Sequence, residues 1–307
     1  MREFELLRDI FKQNSRLPPF VAIPPGDDMA LLELDASSLL VAVDQVIEGR
    51  HFRADEDPGL VGRKAVARNA SDVAAMAARP LATLAAVALP VGYGDDRARI
   101  LCEALRSTSE VFGCPLVGGD LAVHSDARSP LTCSVTILAQ PAWRGARVVT
   151  RRGARRGDGV YVTGRLGGSL GVAGHGRHLT FDPRVAEAIE LLRGLDERLH
   201  AMIDVSDGLG RDAAHLLRDE HAADLMIEID AEHIPTHDGL PWRRGVTDGE
   251  DYELCFLAAG LVPSSVLRTP VTRIGVVRER RARDPMVAVR DGKELIDVTH
   301  LGWEHAS

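Results

Sequence analysis

The sequence predicts an α/β protein in two halves. Apolar runs of strand length alternate with helical patterns along most of the chain. Aromatic residues are only 4% of the 307, so the core must come from Ala, Val, Leu and Ile. The basic, turn-rich stretch PAWRGARVVTRRGARRGD (141–158) interrupts the alternation. It puts a boundary near 140–150, dividing the chain into 1–142 and 143–307.

The elements follow in order. MREFELLRDIFKQ (1–13) mixes charged and apolar residues at helical spacing, unlike the apolar core of a secretory signal. SSLLVAVDQVI (37–47) reads as a strand and GLVGRKAVARNASDVAAMAA (59–78) as a helix. LATLAAVALPV (81–91) is a buried strand, and DDRARILCEALRSTSEVFG (95–113) a helix closed by glycine. PLTCSVTILAQ (130–140) completes a β-α-β-α-β half. In the second half GVYVTGRLG (159–167) is a strand and DPRVAEAIELLRGL (182–195) a helix. AMIDVSDGLGRDAAHLLRDEH (201–221) is a strand running into a helix. ADLMIEID, DYELCFLAA and VTRIGVVRE are strands, and MVAVRDGKELI is a hairpin on an Asp-Gly turn.

Bulk properties exclude several classes. The formal charge of −8, from 45 acids against 37 bases, argues against nucleic acid as a partner. No apolar run approaches the roughly 20 residues of a membrane span, so a cytoplasmic protein is expected. Cys102, Cys114, Cys133 and Cys255 form no CxxC pair and read as small buried hydrophobes, not as zinc ligands or disulfides. There is no GxxxxGK[ST] loop and no GxGxxG after a strand.

Certain carboxylates do not pattern as surface charge. They lie beside Gly or Ser at the ends of apolar segments: Asp27 and Asp28, Asp44, Asp72, Asp120, Asp204 and Asp207 around Ser206, and Glu250 with Asp251. For any one of them a helix cap or a turn is a sufficient account. As a set they would repel one another unless cations came from outside, since the chain has only three lysines, Lys12, Lys64 and Lys293. Such hard oxygen ligands suit Mg²⁺ shared with substrate phosphates. The neighbouring glycines let backbone approach phosphate oxygens, and SDGLGRDAAHLL offers a helix N-terminus for an anion. The pattern points to several Mg²⁺ ions and a polyphosphate. Asp72 interrupts an alanine-rich helix, and a salt bridge to Arg68, four residues earlier, is a rival reason for it, worth about 0.3–0.5 kcal/mol. Arg151 and Arg152 read equally as phosphate ligands or as a solvated run. A lone histidine such as His51 reads more readily as a packed or surface residue than as a functional one.

GDDMALL, VDQVIEGRHF, GRKAVARNASDVAAMAARP, GGD, TRRGARRGDGVYVTG, IDVSDGLGRD and DGEDYEL stand in an order that resembles the thiamine-monophosphate kinase family. The likeness runs from about residue 3 to the closing GWEH. That family sits within the aminoimidazole-ribonucleotide synthetase-like ATP-binding proteins. The chain lacks the early reactive Cys of selenophosphate synthetase, the terminal Cys of the hydrogenase-maturation relative, and the GVGTK stretch of the synthetase itself.

The resemblance implies a two-domain fold whose N-terminal sheet pairs across a homodimer, with ATP in a cleft by the interface and a C-terminal α/β domain. It implies Asp28, Asp44, Asp72, Asp120, Asp204 and Asp207 as Mg²⁺ ligands. Gly119, Asp120, Arg151 and Ser206 would contact ATP; His51, Glu250 and Trp303 would contact thiamine monophosphate. The implied reaction is direct in-line transfer from ATP, giving thiamine diphosphate, with no general base and no phosphoenzyme. Another ATP-dependent enzyme of the fold, or a non-catalytic binding relative, are the alternatives. The chain departs from the family at Ala42 and Val43, where hydroxyls are usual, at Gln45, at Thr180 and Phe181, where Arg-Pro is usual, and at Asp248.

Overall fold

A computed structural model describes residues 17–24, 26–34, 37–126 and 128–304. The helical pattern of 1–13 lies outside the described residues. The first sheet is built from β1 (Val21–Ile23), β2 (Ala30–Leu34), β3 (Ser37–Ile47), β4 (Ala78–Leu89), β5 (Leu116–Val123) and β6 (Thr132–Pro141), in the order β1-β2-β3-β6-β4-β5. Every pairing is antiparallel except β4 with β5. Helix α1 (Pro58–Ala75) joins β3 to β4 on either side of β6, and α2 (Asp95–Val111) joins β4 to β5. The expected β-α-β-α-β core is present, with β1, β2 and β5 added at its edges. Glycines 118 and 119 hide β5 in the sequence, and an edge strand tolerates them.

Helix α1 starts where sequence chemistry says it should. The Asp57 carboxylate accepts the Gly59 N–H at 2.8 Å as an N-cap, and Pro58 occupies the first turn. It ends at Ala75, earlier than predicted, because Ala77 takes a left-handed φ of 49° and Arg79 precedes a proline, which favours extended backbone. Thirteen of its 18 residues are buried, which explains the alanine-rich composition: the helix is covered all round. Val61, Val66 and Val73 pack with Val46, Val87 and Val135 of the first sheet. Ala74 packs on the other side with Leu191, Met202 and Phe256 of the second half. A Cβ on Gly62 would stand 2.8 Å from the Leu101 carbonyl oxygen and 2.9 Å from the Ala104 Cβ, so only glycine lets α1 and α2 cross this closely.

The helices cover one face of the first sheet. On β4, Ala85, Val87 and Leu89 point into that core, while Leu84 and Ala86 are exposed on the opposite, open face. Val43 of β3 is on the open face too, 63% exposed.

The second sheet takes β7 (Gly159–Thr163), β8 (Leu199–Asp204), β9 (Leu225–Asp230), β10 (Leu254–Ala258), β11 (Ser265–Val266), β12 (Thr269–Glu279), β13 (Val287–Asp291) and β14 (Glu294–Asp297). Its order is β14-β13-β9-β12-β7-β10-β8, with β11 against β12. Only β13 and β9 run parallel. Helices α4 (Leu209–His215) and α5 (Trp242–Thr247) contribute to one core, and α3 (Val185–Leu195) to the other. The predicted hairpin forms as β13–β14, with Gly292 supplying the positive φ of 59° in its two-residue turn. A glycine-rich stretch, 164–184, connects β7 to α3 and lies over the first half.

All four cysteines are free; three are buried as expected and Cys102, on α2, only half so. Among the described residues no helix is long and apolar enough to cross a membrane.

Candidate active site

Three chain segments bring three carboxylates together. Asp28 follows β1, Asp72 is on α1 and Asp204 ends β8. They offer oxygens that all lie within 4.8 Å of one another. The Arg151 guanidinium grips Asp28 in a fork, Nε to Oδ2 at 2.9 Å and Nη2 to Oδ1 at 2.6 Å. The Arg151 N–H also donates to Asp27 Oδ2 at 3.2 Å. Ser71 donates its hydroxyl to Asp204 Oδ2 at 2.6 Å.

This does not balance the charge. Burial, then the Asp28 carboxylate, push Asp204 up to about 7. Burial, followed by Asp44, Asp204 and Asp28, push Asp72 well above the ordinary carboxylate value. Burial and Asp28 raise Asp27 to about 6. The donor set, all hard oxygen and short of positive charge, fits a divalent cation of the Mg²⁺ type.

Arg68 is not the reason for Asp72. Its Nε pairs with Asp44 Oδ2 at 3.0 Å and its Nη1 donates to the Gln45 carbonyl at 3.1 Å. Among the described residues no ion pair joins it to Asp72. Asp44 is further fixed by its own N–H, which donates to Asn69 Oδ1 at 3.1 Å. Lys64, Arg68 and Asp72 recur at a spacing of four and so form one stripe along α1.

A pocket opens beside the cluster. His51, Arg68, Ser206, Asp207, Glu250, Tyr252 and Trp303 line it. Five of the residues singled out from the sequence therefore meet there, two residues along the chain from Asp204. The Trp303 N–H donates to the Asp207 carbonyl at 2.8 Å, which anchors the chain end, and its ring is 50% exposed. His51 is held by its Nδ1, which accepts the Ile47 N–H at 2.9 Å.

Glu250 stands in a strained turn. It has φ 55° and Tyr252 has φ 53°. The turn is stitched to the end of β8, Glu250 N–H donating to the Ser206 carbonyl at 2.7 Å and Tyr252 N–H to Val205 at 2.8 Å. Burial by itself would raise the Glu250 carboxyl. The His178 hydrogen bond and the charges of Lys64 and Arg68 outweigh burial and bring it down to about 2.

Other expectations meet a different geometry. The N–H groups of Ser206, Asp207 and Gly208 all donate to Asp212 Oδ2 at 3.0 Å, so these three donors at the start of α4 already have a carboxylate partner. Gly119 and Asp120 are on β5, the edge strand, with β6 and β4 between them and β3. A Cβ on Gly119 would fall 2.1 Å from the Ala85 carbonyl oxygen, so strand pairing already demands that glycine. Asp120 pairs with Ala86 on the open face, away from α1 and the cluster. Of the two lost hydroxyl positions, Ala42 shares the helix-side face of Asp44, whereas Val43 points to the open face. Two departures have structural employment: Asp248 Oδ2 accepts the Gly168 N–H at 2.8 Å, and Phe181 stacks on Tyr252 at 3.9 Å between ring centroids. Arg152 is exposed.

Two groups at this site were not singled out from the sequence. Lys64 is completely buried and His178 nearly so, and both touch Glu250. The signal available was a lysine inside an alanine-rich helix, one of only three in the chain.

Comparison with known proteins agrees with this geometry. Residues 26–140 match the model of the AIR synthase related protein, N-terminal domain. A thiamine-monophosphate kinase from Rhodopirellula baltica is 33% identical over 289 residues, 86% of each chain. The one from Escherichia coli K12 is 31% identical over 337 aligned positions, covering 99% of this chain and 98% of that one. Among solved structures, AaThiL complexed with AMPPCP and TMP superposes with a TM-score of 0.78 at 27% identity, over 99% of this chain and 97% of that one. With near-complete coverage at this identity, the chain belongs to the thiamine-monophosphate kinase family.

Proposed function

We propose that this protein transfers the terminal phosphoryl group of ATP to the phosphate of thiamine monophosphate, giving thiamine diphosphate and ADP. The observation that carries the reading is the placement of a three-carboxylate cluster directly beside a pocket lined by an aromatic ring and an ionised carboxylate, in a chain similar throughout to kinases of that name.

The residues divide the work. Asp28, Asp72 and Asp204 would hold Mg²⁺, with Asp44 and Asp207 close by. When bound, Mg²⁺ neutralises phosphate charge so that two polyanions can meet in line. Arg151, already a fork on Asp28, is placed to share its guanidinium with an ATP phosphate. Trp303 presents a face to a flat cationic ring, and Glu250 presents an anion to the same group. The acceptor phosphate is ionised at neutral pH and needs no base, which agrees with a pocket built from positioning groups. Incubating the purified protein with ATP, Mg²⁺ and thiamine monophosphate is expected to yield thiamine diphosphate by chromatography, with loss of the product peak in EDTA. Turnover of ATP with other acceptors but not this one would refute the assignment.

The reading includes a homodimer. Asp120 faces the open side of the first sheet while the cluster faces the helices, so Asp120 reaches ATP only across an interface between two copies. The exposed apolar side chains of that face, Val43 and Leu84, are consistent with burial against a second sheet. Asp72→Asn and Asp120→Asn are each expected to be inactive alone. Refolded together, half the dimers combine one intact cluster with one intact Asp120, so about a quarter of wild-type activity returns. A mixture that stays dead while its dimers form normally would count against sharing.

A further inference from the structure

We propose that Lys64 and His178 are positioning residues for the phosphoryl acceptor: they fix the Glu250 carboxylate against the pocket and tie both of its walls to α1. This rests on reading the pocket of His51, Glu250 and Trp303 as the acceptor site.

The argument begins with a lysine that has no exposure at all. An ammonium in that position is strongly unfavourable unless its protons find acceptors. Lys64 has three protons and three acceptors. Its Nζ lies 2.6 Å from the His51 carbonyl oxygen, 2.7 Å from His178 Nδ1 and 2.5 Å from Glu250 Oε2. His178 Nε2 donates to the Gly174 carbonyl at 2.9 Å, and its Nδ1 stands between the two partners, 2.7 Å from Lys64 Nζ and 2.9 Å from Glu250 Oε2. A bare Nδ1 accepts from Lys64 and a protonated one donates to Glu250; in either arrangement the imidazole joins the ammonium and the carboxylate in one buried cluster.

The three acceptors come from three parts of the chain. His51 follows β3, His178 belongs to the 164–184 connection and Glu250 to the turn before β10. Two of the three are themselves pocket residues. Without Lys64 and His178, Glu250 would keep its strained backbone and the charge of Arg68, but no side-chain hydrogen bond from α1 or the 164–184 connection. The same helix carries Asp72 two turns further on, so the acceptor wall and the carboxylate cluster share one rigid body about 12 Å long between these residues. The 164–184 connection is pinned elsewhere as well: His175 Nδ1 contacts Glu56 Oε2 at 3.0 Å, Gly167 donates to Asp251 Oδ2 at 2.8 Å, and Arg63 donates to the Phe181 carbonyl at 2.7 Å. Replacing His178 therefore leaves it attached.

The test is a KM comparison in the full-length protein. Glu250→Ala defines the effect of losing the carboxylate. Lys64→Met and His178→Phe are each expected to raise KM for thiamine monophosphate about 10- to 100-fold, with KM for ATP within about twofold of wild type. Combining Lys64→Met with Glu250→Ala should add little to Glu250→Ala alone, since both act through one group. If Lys64→Met does not fold, His178→Phe carries the same comparison. Equal increases in both KM values, or full additivity with Glu250→Ala, would show a purely structural role and overturn the proposal. An unchanged KM in Glu250→Ala would overturn the acceptor-site reading and this proposal with it. A raised KM in Glu250→Ala alone, with both positioning variants normal, would overturn this proposal only.

Discussion

Asp72→Asn should lower turnover by about 10³-fold or more while the metal-free protein melts no lower than wild type. Both halves follow from one fact. Asp72 sits among Asp28, Asp44 and Asp204 with burial holding its carboxyl well above the usual range, so its charge opposes folding until a cation arrives. Asparagine keeps the shape and removes that charge. The loss is confined to the bound state: Mg²⁺ with an ATP analogue should raise the melting temperature of wild type far more than that of the variant. Turnover rates and thermal melts with and without Mg²⁺ measure both, and near-wild-type turnover would sink the assignment of Asp72.

The second large effect is on pH and stability. Asp204 titrates at about 7 and Asp27 at about 6 in the folded chain, both raised from 3.8. Asp251 is likewise raised to about 7, chiefly by burial. A raised carboxyl favours the folded state below its unfolded value and loses that advantage as pH climbs through the folded one. Glu250, brought down to about 2 against burial by His178, Lys64 and Arg68, contributes a constant amount above pH 5. Lys64, lowered to about 8 chiefly by burial, matters only at the upper limit. In EDTA the protein should therefore lose stability between pH 5 and pH 8, on the order of a few kcal/mol. Mg²⁺ should flatten the slope by binding the ionised cluster. Urea midpoints at pH 5, 6, 7 and 8 in each condition test this. A metal-free protein that grows more stable across the interval would contradict it.

The regular elements were legible because periodicity reports burial. α1, α2, β3 and β6 lie within a few residues of their predicted limits, and the error at the end of α1 traces to one left-handed alanine. The carboxylate cluster was legible because acids in apolar segments are out of place. Lys64 was not: a lysine in a helix normally extends into water, and nothing local shows that three acceptors from distant segments enclose it. Nor did the sequence reveal which face of which strand carries Asp120, because the glycines before it read as a loop and a strand face exists only once pairing is known. The salt bridge suggested by the spacing of Arg68 and Asp72 was displaced by a tertiary one, Asp44 being the better placed partner.

Helix α1 also decides how the chain comes apart. Its Ala74, with Ala77 just beyond, belongs to the same apolar cluster as Val149, Leu191, Leu199 and Phe256 of the second half. Helix α1 therefore belongs to the cores of both halves. Cutting the chain near 142 would leave α3 and the outer side of β8 without their cover, and would leave α1 with a bare apolar flank. Neither fragment is a natural stopping point in folding. Unfolding should be a single cooperative event, in which acceptor pocket and metal cluster are lost together.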